Sequence, residues 1–232
     1  DIPGSKLVPY AAELINCIGG VNGSPVEVRV EDVGGDATTA GVAAETLLDW
    51  GAQVLIGPPF ADFALPILQA TEGQVPLFVA ASTEPTLADI EQNSFLVTFD
   101  DNGQATAAAE YALAQGIKRA FVFTQPGPYT GLNPDVFSQV FTDGGGEIVS
   151  EQTYVWGEDT DFSAQVAELS GILDGTEAFY SAALAFQVTA LRGQLEGAGF
   201  DGITYMGTDA LDATGIQAEA NGNGVIHTPH DF

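Results

Sequence analysis

The sequence contains few basic residues, few histidines and a single cysteine. Among 232 residues there are five lysines and arginines together, two histidines and one cysteine, Cys17, so no disulfide can form within the chain. Because phosphate binding requires a basic surface, we exclude nucleic acid as a partner. No apolar run is long enough to span a bilayer. Cys17 falls on the apolar side of a predicted helix, which favours an inert core residue over a reactive thiol.

Enzyme signatures are also scarce. The sequence has no G-x-S-x-G elbow, no P-loop and no H-E-x-x-H motif. Residues 197–202 match G-x-G-x-x-G, but they follow a predicted helix and precede a predicted strand, the reverse of the order in dinucleotide-binding folds. His227 and His230 lie close together beside Asp231, yet no further cluster of metal ligands accompanies them. We therefore expect no catalytic residues, no metal site and no cofactor.

Acidic residues are abundant. The chain has 32 aspartates and glutamates, which give a formal net charge of −27. Such a surface suits high salt, where screening removes self-repulsion, so a halophilic source is one interpretation. An ordinary acidic exported protein is the other. Adjacent acids such as Asp100 and Asp101 are interpreted as solvated residues or helix caps.

Predicted strands and helices alternate along the chain, which indicates βαβ units and parallel sheets. Apolar runs without alternation, at residues 54–56 and 76–80, predict strands that are buried on both faces. Residues 26–30 alternate valines with charged residues and predict a strand with one wetter face. We predict an α/β fold of two doubly wound parallel-sheet lobes, residues 1–100 and 101–232, with a cleft between them.

Four polar residues follow predicted strands: Ser82, Thr83, Tyr129 and Asp209. Ligands of open parallel sheets bind beyond the carboxyl ends of the strands. Hydroxyls and free backbone N–H groups can hold a carboxylate without a basic side chain, and Asp209 can hold an ammonium group. The tyrosine ring can cover an apolar side chain. This set suits an amino acid or a similar small zwitterion; the alternative is that Ser82, Thr83 and Asp209 only cap neighbouring helices.

Several stretches, in their order and spacing, resemble the type I periplasmic binding proteins. These are the leucine/isoleucine/valine-binding type of ABC-importer receptor, and the resemblance covers nearly the whole chain. The matching stretches are Leu14-Ile-Asn16, Gly19-Gly-Val-Asn-Gly23, Ile56-Gly-Pro58, Val75-Pro-Leu77, Ser82-Thr83-Glu-Pro85, Gly144-Gly-Gly-Glu147, Asp159-Thr-Asp-Phe-Ser163, Gly197-Ala-Gly199 and Met206-Gly-Thr-Asp209.

The resemblance implies two lobes that close on a ligand and supplies candidate contacts. The ligand's α-carboxylate would be held by small and hydroxyl residues of the first lobe, at Ala61, Ala81 and Thr83, with Ser82 between the last two. The α-ammonium would be held by Asp209, and Tyr129 matches an aromatic of the second lobe. The chain departs from the family pattern at Ala61, where a serine is expected, and at Leu184, where a ligand-facing aromatic is expected.

The function implied is that of a non-enzymatic solute-binding protein of an ABC importer. It would work in the periplasm or outside the cell, with or without a membrane anchor, and deliver an amino acid or similar small polar ligand to a membrane permease. The resemblance also implies that the family's first strand and its C-terminal return segments are missing, so that the chain is a fragment or is completed by a partner chain. Two alternatives are a ligand-sensing domain of a receptor or regulator, and a reduced structural subunit that no longer binds ligand.

Overall fold

The chain folds into two compact α/β units with parallel sheets, Asp1–Thr98 and Phe99–Phe232. The structure is a computed structural model that describes residues 2–58, 60–90, 93–213 and 215–229. The α/β class and the parallel sheets agree with the sequence-based prediction. The two units are called unit 1 and unit 2 below.

Unit 1 contains a three-stranded parallel sheet in the order β1-β2-β3. Its strands are short and its helices are longer. They are α1 (Ile2–Cys17), α2 (Ala37–Trp50), β1 (Leu55–Ile56), α3 (Ala61–Thr71), β2 (Leu77–Val79), a 3-10 turn (Pro85–Leu87) and β3 (Ser94–Leu96).

Helices α2 and α3 cover one face of this sheet. Leu55, Leu77 and Val79 are buried with them in one apolar cluster. The alternate residues point the other way, because successive side chains of a strand face opposite sides. Ile56 and Phe78 are 56% and 37% exposed, so the prediction that these strands are buried on both faces is wrong. A helix layer covers only one side of the sheet within the described residues.

Helix α1 directs much of its apolar stripe outward. Leu7 and Leu14 are exposed, as is Ile18 just after the helix, while Ala12 is buried. Cys17 is also exposed, so the prediction that it is a core residue is wrong. The predicted helix is present. However, no other described helix or strand packs extensively against its apolar face.

The predicted strand at residues 26–30 is not formed. The segment joins no ladder, and its first residue is held by a side chain instead. Asn16 Nδ2 donates to the Val26 carbonyl at 2.9 Å, and the Val26 N–H donates to Asn16 Oδ1 at 2.7 Å. A strand needs a neighbouring backbone to pair with, and alternation in the sequence does not supply that partner.

Unit 2 contains a five-stranded parallel sheet in the order β5-β4-β6-β7-β8. Its elements are α4 (Asp101–Ala114), β4 (Arg119–Thr124), α5 (Leu132–Asp143), β5 (Glu147–Thr153), α6 (Ser163–Leu169), β6 (Ala178–Ser181), α7 (Ala185–Gly197), β7 (Thr204–Gly207), α8 (Ala210–Ala213), a 3-10 turn (Ile216–Ala218) and β8 (Ile226–His227).

Both faces of this sheet are covered, as doubly wound folds require. Residues of α4 and α5 form one apolar cluster with Val122 and Tyr180, and residues of α6 and α7 form another with Phe121 and Phe179. Strand β6 is buried along its whole length. The strand order reverses at β4, and ligands of such sheets bind at the carboxyl edge beside the reversal. The loops after β4, β6 and β7 therefore define the edge where a site is expected.

Candidate functional site

The four predicted site residues of unit 1 lie at one edge of its sheet. Ala61 begins α3 just after β1, and Ala81, Ser82 and Thr83 follow β2. Strands β1 and β2 are parallel neighbours, so both corners fall at the same carboxyl edge. Ser82 and Thr83 are buried. The N–H of Thr86 in the following 3-10 turn is capped by Glu84 Oε1 at 3.1 Å, which makes Glu84 the cap of that turn.

The two predicted site residues of unit 2 contact each other directly. Tyr129 lies in the loop after β4, and Asp209 follows β7. The Tyr129 hydroxyl donates to Asp209 Oδ1 at 2.7 Å and lies 2.6 Å from Thr208 Oγ1. It also accepts the N–H of Ala210 at 3.2 Å. A phenol has one proton and two lone pairs, so these contacts occupy the whole group and fix the carboxylate oxygen beside it.

A layer of buried polar side chains lies behind this pair. Gln104 Nε2 donates to Asp101 Oδ1 at 2.7 Å, and Gln104 Oε1 accepts the N–H of Asp209 at 3.1 Å. Asn133 Nδ2 donates to Asp101 Oδ1 at 3.0 Å and to the Tyr129 carbonyl at 3.1 Å. The five residues form a closed ring of hydrogen bonds, which we call the polar ring: Asp101, Gln104, Asp209, Tyr129 and Asn133.

The position of Asp101 corrects a prediction. Asp100 does cap α4, because its carboxylate accepts the N–H of Gly103 at 2.7 Å. Asp101, interpreted from the sequence as solvated or capping, is 0% exposed. Its carboxylate accepts hydrogen bonds from Gln104, three residues further along α4, and from Asn133 at the start of α5. A buried charge is tolerated only where it is hydrogen-bonded in this way.

The acidic surroundings act on two tyrosines of the site. Burial, and after it the charge of Asp209, raises the pKa of Tyr129 well above its usual value. Burial, and after it the charges of Asp101 and Asp209, raises the pKa of Tyr180, whose hydroxyl lies 3.4 Å from Asn133 Oδ1. Both hydroxyls therefore stay protonated at neutral pH, and Tyr129 remains a donor to the carboxylate.

The site can offer a preorganised carboxylate and hydroxyls, which suit a ligand amino group better than an anion. Within the described residues no group of three or more His, Cys, Asp or Glu side chains is placed to hold a metal ion. His227 Nε2 lies 3.7 Å from Asp212 Oδ1. His230 and Asp231, which the sequence analysis considered with it, lie outside the described residues.

Two shallow cavities lie away from the predicted residues. One, of about 430 Å³, is lined by residues of α2 and α3 such as Asp62 and Phe63. The other, of about 190 Å³, lies between α4 and β8 and is lined by Tyr111, Met206 and Ile226 among others. None of the six predicted site residues lines either cavity. Specific ligand sites need convergent polar groups as well as space, and the polar ring supplies such groups.

The sequence analysis predicts Tyr129 and Asp209 as site residues but does not single out Gln104, Asn133 or Thr208, which the structure places beside them. A signal for Gln104 was present in the sequence. The buried positions of α4 recur at helical spacing and begin with two polar residues: Asp101, Gln104, Ala105, Ala108, Ala109 and Ala112. Polar side chains at the start of an otherwise alanine-lined buried face predict an internal polar contact. Asn133 and Thr208 gave no comparable signal.

Comparisons with known proteins agree with this architecture. The chain matches the periplasmic binding protein family over residues 7–231. A curated relative, the "Leu/Ile/Val-binding protein homolog 3" of Brucella melitensis, is 28% identical over 228 residues, which are 96% of this chain and 61% of the relative.

Solved structures of similar fold include two ABC-transporter proteins. A solute-binding protein from Rhodopseudomonas palustris, solved with 3,4-dihydroxybenzoic acid, has a TM-score of 0.74 at 20% identity, covering 92% of this chain and 59% of its own. The branched-chain amino acid binding protein LivJ from Streptococcus pneumoniae, solved with isoleucine, has a TM-score of 0.68 at 22% identity, covering 86% and 57%. The chain thus spans about three fifths of the length of these relatives. No described helix is long and apolar enough to cross a membrane.

Proposed function

The chain belongs to the periplasmic binding protein family, and we propose that it binds a small solute bearing an amino group for an ABC importer. The ligand class we propose is an amino acid or a similar small zwitterion. The protein is proposed to be non-enzymatic, in keeping with relatives that are named as binding proteins. Because the chain spans only part of their length, its activity, ligand and partners are argued from its own residues.

The contact between Tyr129 and Asp209 carries the proposal. The carboxylate of Asp209 is mostly buried, and Tyr129 holds one of its oxygens at 2.7 Å. A fixed carboxylate at the carboxyl edge of a parallel sheet is suited to receive an ammonium group through a charge-assisted hydrogen bond. The ligand would find the acceptor already oriented, which lowers the ordering cost of binding.

The ligand's own carboxylate needs a different environment. We propose that Ala81, Ser82, Thr83 and Ala61 in unit 1 contact it through hydroxyl and backbone N–H groups. They share one sheet edge, where Ala61 and Ala81 are half-buried and Ser82 and Thr83 are buried. None of them carries a positive charge, so neutral donors would hold the anion.

Relatives of known ligand suggest two chemistries for comparison. One was solved with isoleucine and another with 3,4-dihydroxybenzoic acid. The buried carboxylates of the polar ring favour the amino acid, because an aromatic acid brings no cation to them. Its phenolic hydroxyls could still donate to Asp209, so this compound belongs in any screen.

The cellular setting follows from the family. Periplasmic binding proteins work in the periplasm or outside the cell, and we propose the same location for this chain. The partner would be a membrane permease of the ABC type. The alternative is a ligand-sensing domain of a receptor, which would bind the same ligand at the same residues.

A thermal-shift screen tests the function. The full chain, in high-salt buffer, is heated with each of the twenty proteinogenic amino acids and with 3,4-dihydroxybenzoate. A ligand at about one hundred times its Kd should raise the Tm by roughly 5 to 10 °C. No shift with any amino acid would contradict the proposal and favour a structural subunit.

A matched pair of variants tests the site. Asp209→Ala should abolish the shift caused by an amino acid, since the acceptor for its amino group is lost. Asp212→Ala removes an acid three residues later whose side chain is 40% exposed, and it should leave the shift unchanged. Equal shifts in the two variants would exclude Asp209 from the site.

A further inference from the structure

Gln104 makes three hydrogen bonds behind the proposed site. It is 2% exposed, and its amide joins three separate parts of unit 2. Nε2 donates to Asp101 Oδ1 at the start of α4, and Oε1 accepts the N–H of Asp209 after β7. The same Oε1 accepts the hydroxyl of Thr228, just after β8, at 2.7 Å. The start of α4, the loop after β7 and the segment after β8 are thus joined through one amide.

The donor and acceptor ends of this amide are not interchangeable. An ionised Asp101 only accepts hydrogen bonds, so it requires the NH2 side of Gln104. The Asp209 N–H requires an acceptor, and so does the Thr228 hydroxyl as it is oriented here. Asn133 also donates to Asp101, at 3.0 Å, which holds that carboxylate in place. The orientation of Gln104 is therefore set from behind by Asp101.

Asp209 is consequently held on two sides. Tyr129 fixes its carboxylate at 2.7 Å, and Gln104 fixes its main chain at 3.1 Å. Neither Gln104 nor Asp101 belongs to the predicted ligand contacts. A shift of the Asp209 backbone by half an ångström would misplace the carboxylate for a charge-assisted bond, since such sites work only within narrow geometric limits.

We propose that Gln104 is a positioning residue that sets the place of Asp209 for a ligand amino group, with Asp101 fixing the orientation of Gln104. The inference rests on the proposed function, in which Asp209 receives that amino group. Residues of α4 would thus affect the affinity for the ligand without contacting it. The titratable groups near the amide include Asp101, Asp209, Tyr129 and Tyr180, and His227 precedes Thr228 and lines the same cavity.

Two substitutions at this position separate positioning from general support. Gln104→Leu removes every hydrogen bond and should weaken L-leucine binding about tenfold or more at all pH values, as for loss of a buried hydrogen bond. Gln104→Glu keeps the shape and the acceptor oxygen. Its ionised form repels Asp101 and offers no donor, whereas its protonated form donates to Asp101 and accepts from Asp209 as glutamine does.

The experiment measures the Kd of L-leucine by calorimetry for the full chain at pH 8 and pH 5. Gln104→Glu should bind weakly at pH 8 and regain most of the wild-type affinity at pH 5, because burial beside Asp101 raises the pKa of an introduced carboxyl. Gln104→Leu should show no such recovery. Gln115 is exposed and directly follows α4. The control variant Gln115→Glu adds the same charge there and should bind as the wild type does at both pH values.

Each outcome decides the inference. Wild-type affinity in Gln104→Leu, or equal weakening of Gln104→Glu at both pH values, would overturn it. Thr228→Val serves if Gln104→Leu does not fold: it removes one donor to the amide and should weaken binding about two- to fivefold, by loss of one hydrogen bond, and an unchanged Kd would count against the inference.

The controls also distinguish this inference from the proposed function. If Asp209→Ala abolishes binding while the Gln104 variants are silent, only the inference fails. If the wild type binds neither L-leucine nor any other proteinogenic amino acid, or if Asp209→Ala binds normally, the proposed function fails and the inference fails with it.

Discussion

The two units share a fold class but differ in how completely their sheets are covered. Of nineteen exposed large apolar side chains among the described residues, sixteen lie in unit 1 and three in unit 2. Strand β6 of unit 2 is buried at all four positions, whereas β2 of unit 1 exposes Phe78. Phe78 stacks on Phe95 of the neighbouring strand at 5.2 Å between ring centroids, so these two exposed rings form one apolar patch.

The difference lies in the helices and not in the strands. Unit 2 places α4 and α5 on one face and α6 and α7 on the other, and each pair closes an apolar cluster. In unit 1 both α2 and α3 lie in the cluster on one face. An apolar sequence makes a strand suited to burial. Whether both of its faces are buried depends on which helices pack against the sheet.

The largest expected contrast is between two phenylalanines on central strands. Phe179→Ala in unit 2 removes a fully buried ring that contacts Phe121 and Phe123, and should lower the free energy of unfolding by about 3 to 5 kcal/mol. Phe78→Ala in unit 1 removes a ring that is 37% exposed and should cost less than about 1 kcal/mol. Chemical denaturation measures both, and similar costs would remove the contrast.

Alkaline pH should destabilise unit 2 through its buried tyrosines. Burial raises the pKa of Tyr154 to about 12 from its usual 10.0. A raised pKa means that the neutral form is favoured in the folded state, so stability is lost as pH rises from about 10 through 12. Tyr154 alone should account for about 2 to 3 kcal/mol of that loss.

The measurement for Tyr154 is denaturant unfolding between pH 8 and pH 12. Tyr154→Phe should flatten the fall in the free energy of unfolding over that range. Tyr111→Phe, which removes a hydroxyl from a residue that is 42% exposed, is the control for loss of a tyrosine. A wild-type slope in Tyr154→Phe would contradict the burial assigned to this ring.

In unit 1 a side chain replaces a strand partner. Asn16→Ala removes both hydrogen bonds to Val26 and should destabilise this unit by about 1 kcal/mol. Hydrogen exchange of the Val26 amide should become faster in this variant. Asn102→Ala, at an exposed position of α4, is the control, and unchanged protection of Val26 in Asn16→Ala would show that the contact is not formed in solution.

The smallest expected change concerns the exposed patch of unit 1. A hydrophobic dye such as ANS should bind the wild type, and the double variant Phe78→Thr, Phe95→Thr should bind less with a change in stability of under about 1 kcal/mol. Ile172→Thr in unit 2, at a position that is 40% exposed, should leave the dye signal nearly unchanged. Equal loss in both would mean that the patch is covered.

The sequence predicted the elements better than their surroundings. Strand β4 and helix α2 follow from local patterns: β4 is an apolar run, and Asp36 at the start of α2 accepts the Thr38 N–H at 2.7 Å as a helix cap does. Residues 26–30 have the pattern of a strand, but pairing depends on a distant backbone. Cys17 lies on an apolar face, but its burial depends on what covers that face. A local sequence pattern does not show which distant parts of the chain will pair with a segment or cover it.

The site shows the same limit. Tyr129 and Asp209 were selected from the sequence because they follow strands of a parallel sheet, and the structure joins them by a hydrogen bond. Their role toward a ligand stays a prediction. The ring behind them depends on contacts between residues far apart in the chain, such as Gln104 with Asp209, and only the fold brings these together.

The central claim is that the Asp209 carboxylate receives the amino group of the ligand. Calorimetric titration of the full chain with L-leucine and with 4-methylpentanoate, the same molecule without its amino group, tests it directly in wild type and in Asp209→Asn. The wild type should prefer L-leucine by about a hundredfold or more, as expected for a desolvated charge pair, and the variant should lose that preference. An equal preference in both proteins would contradict the claim.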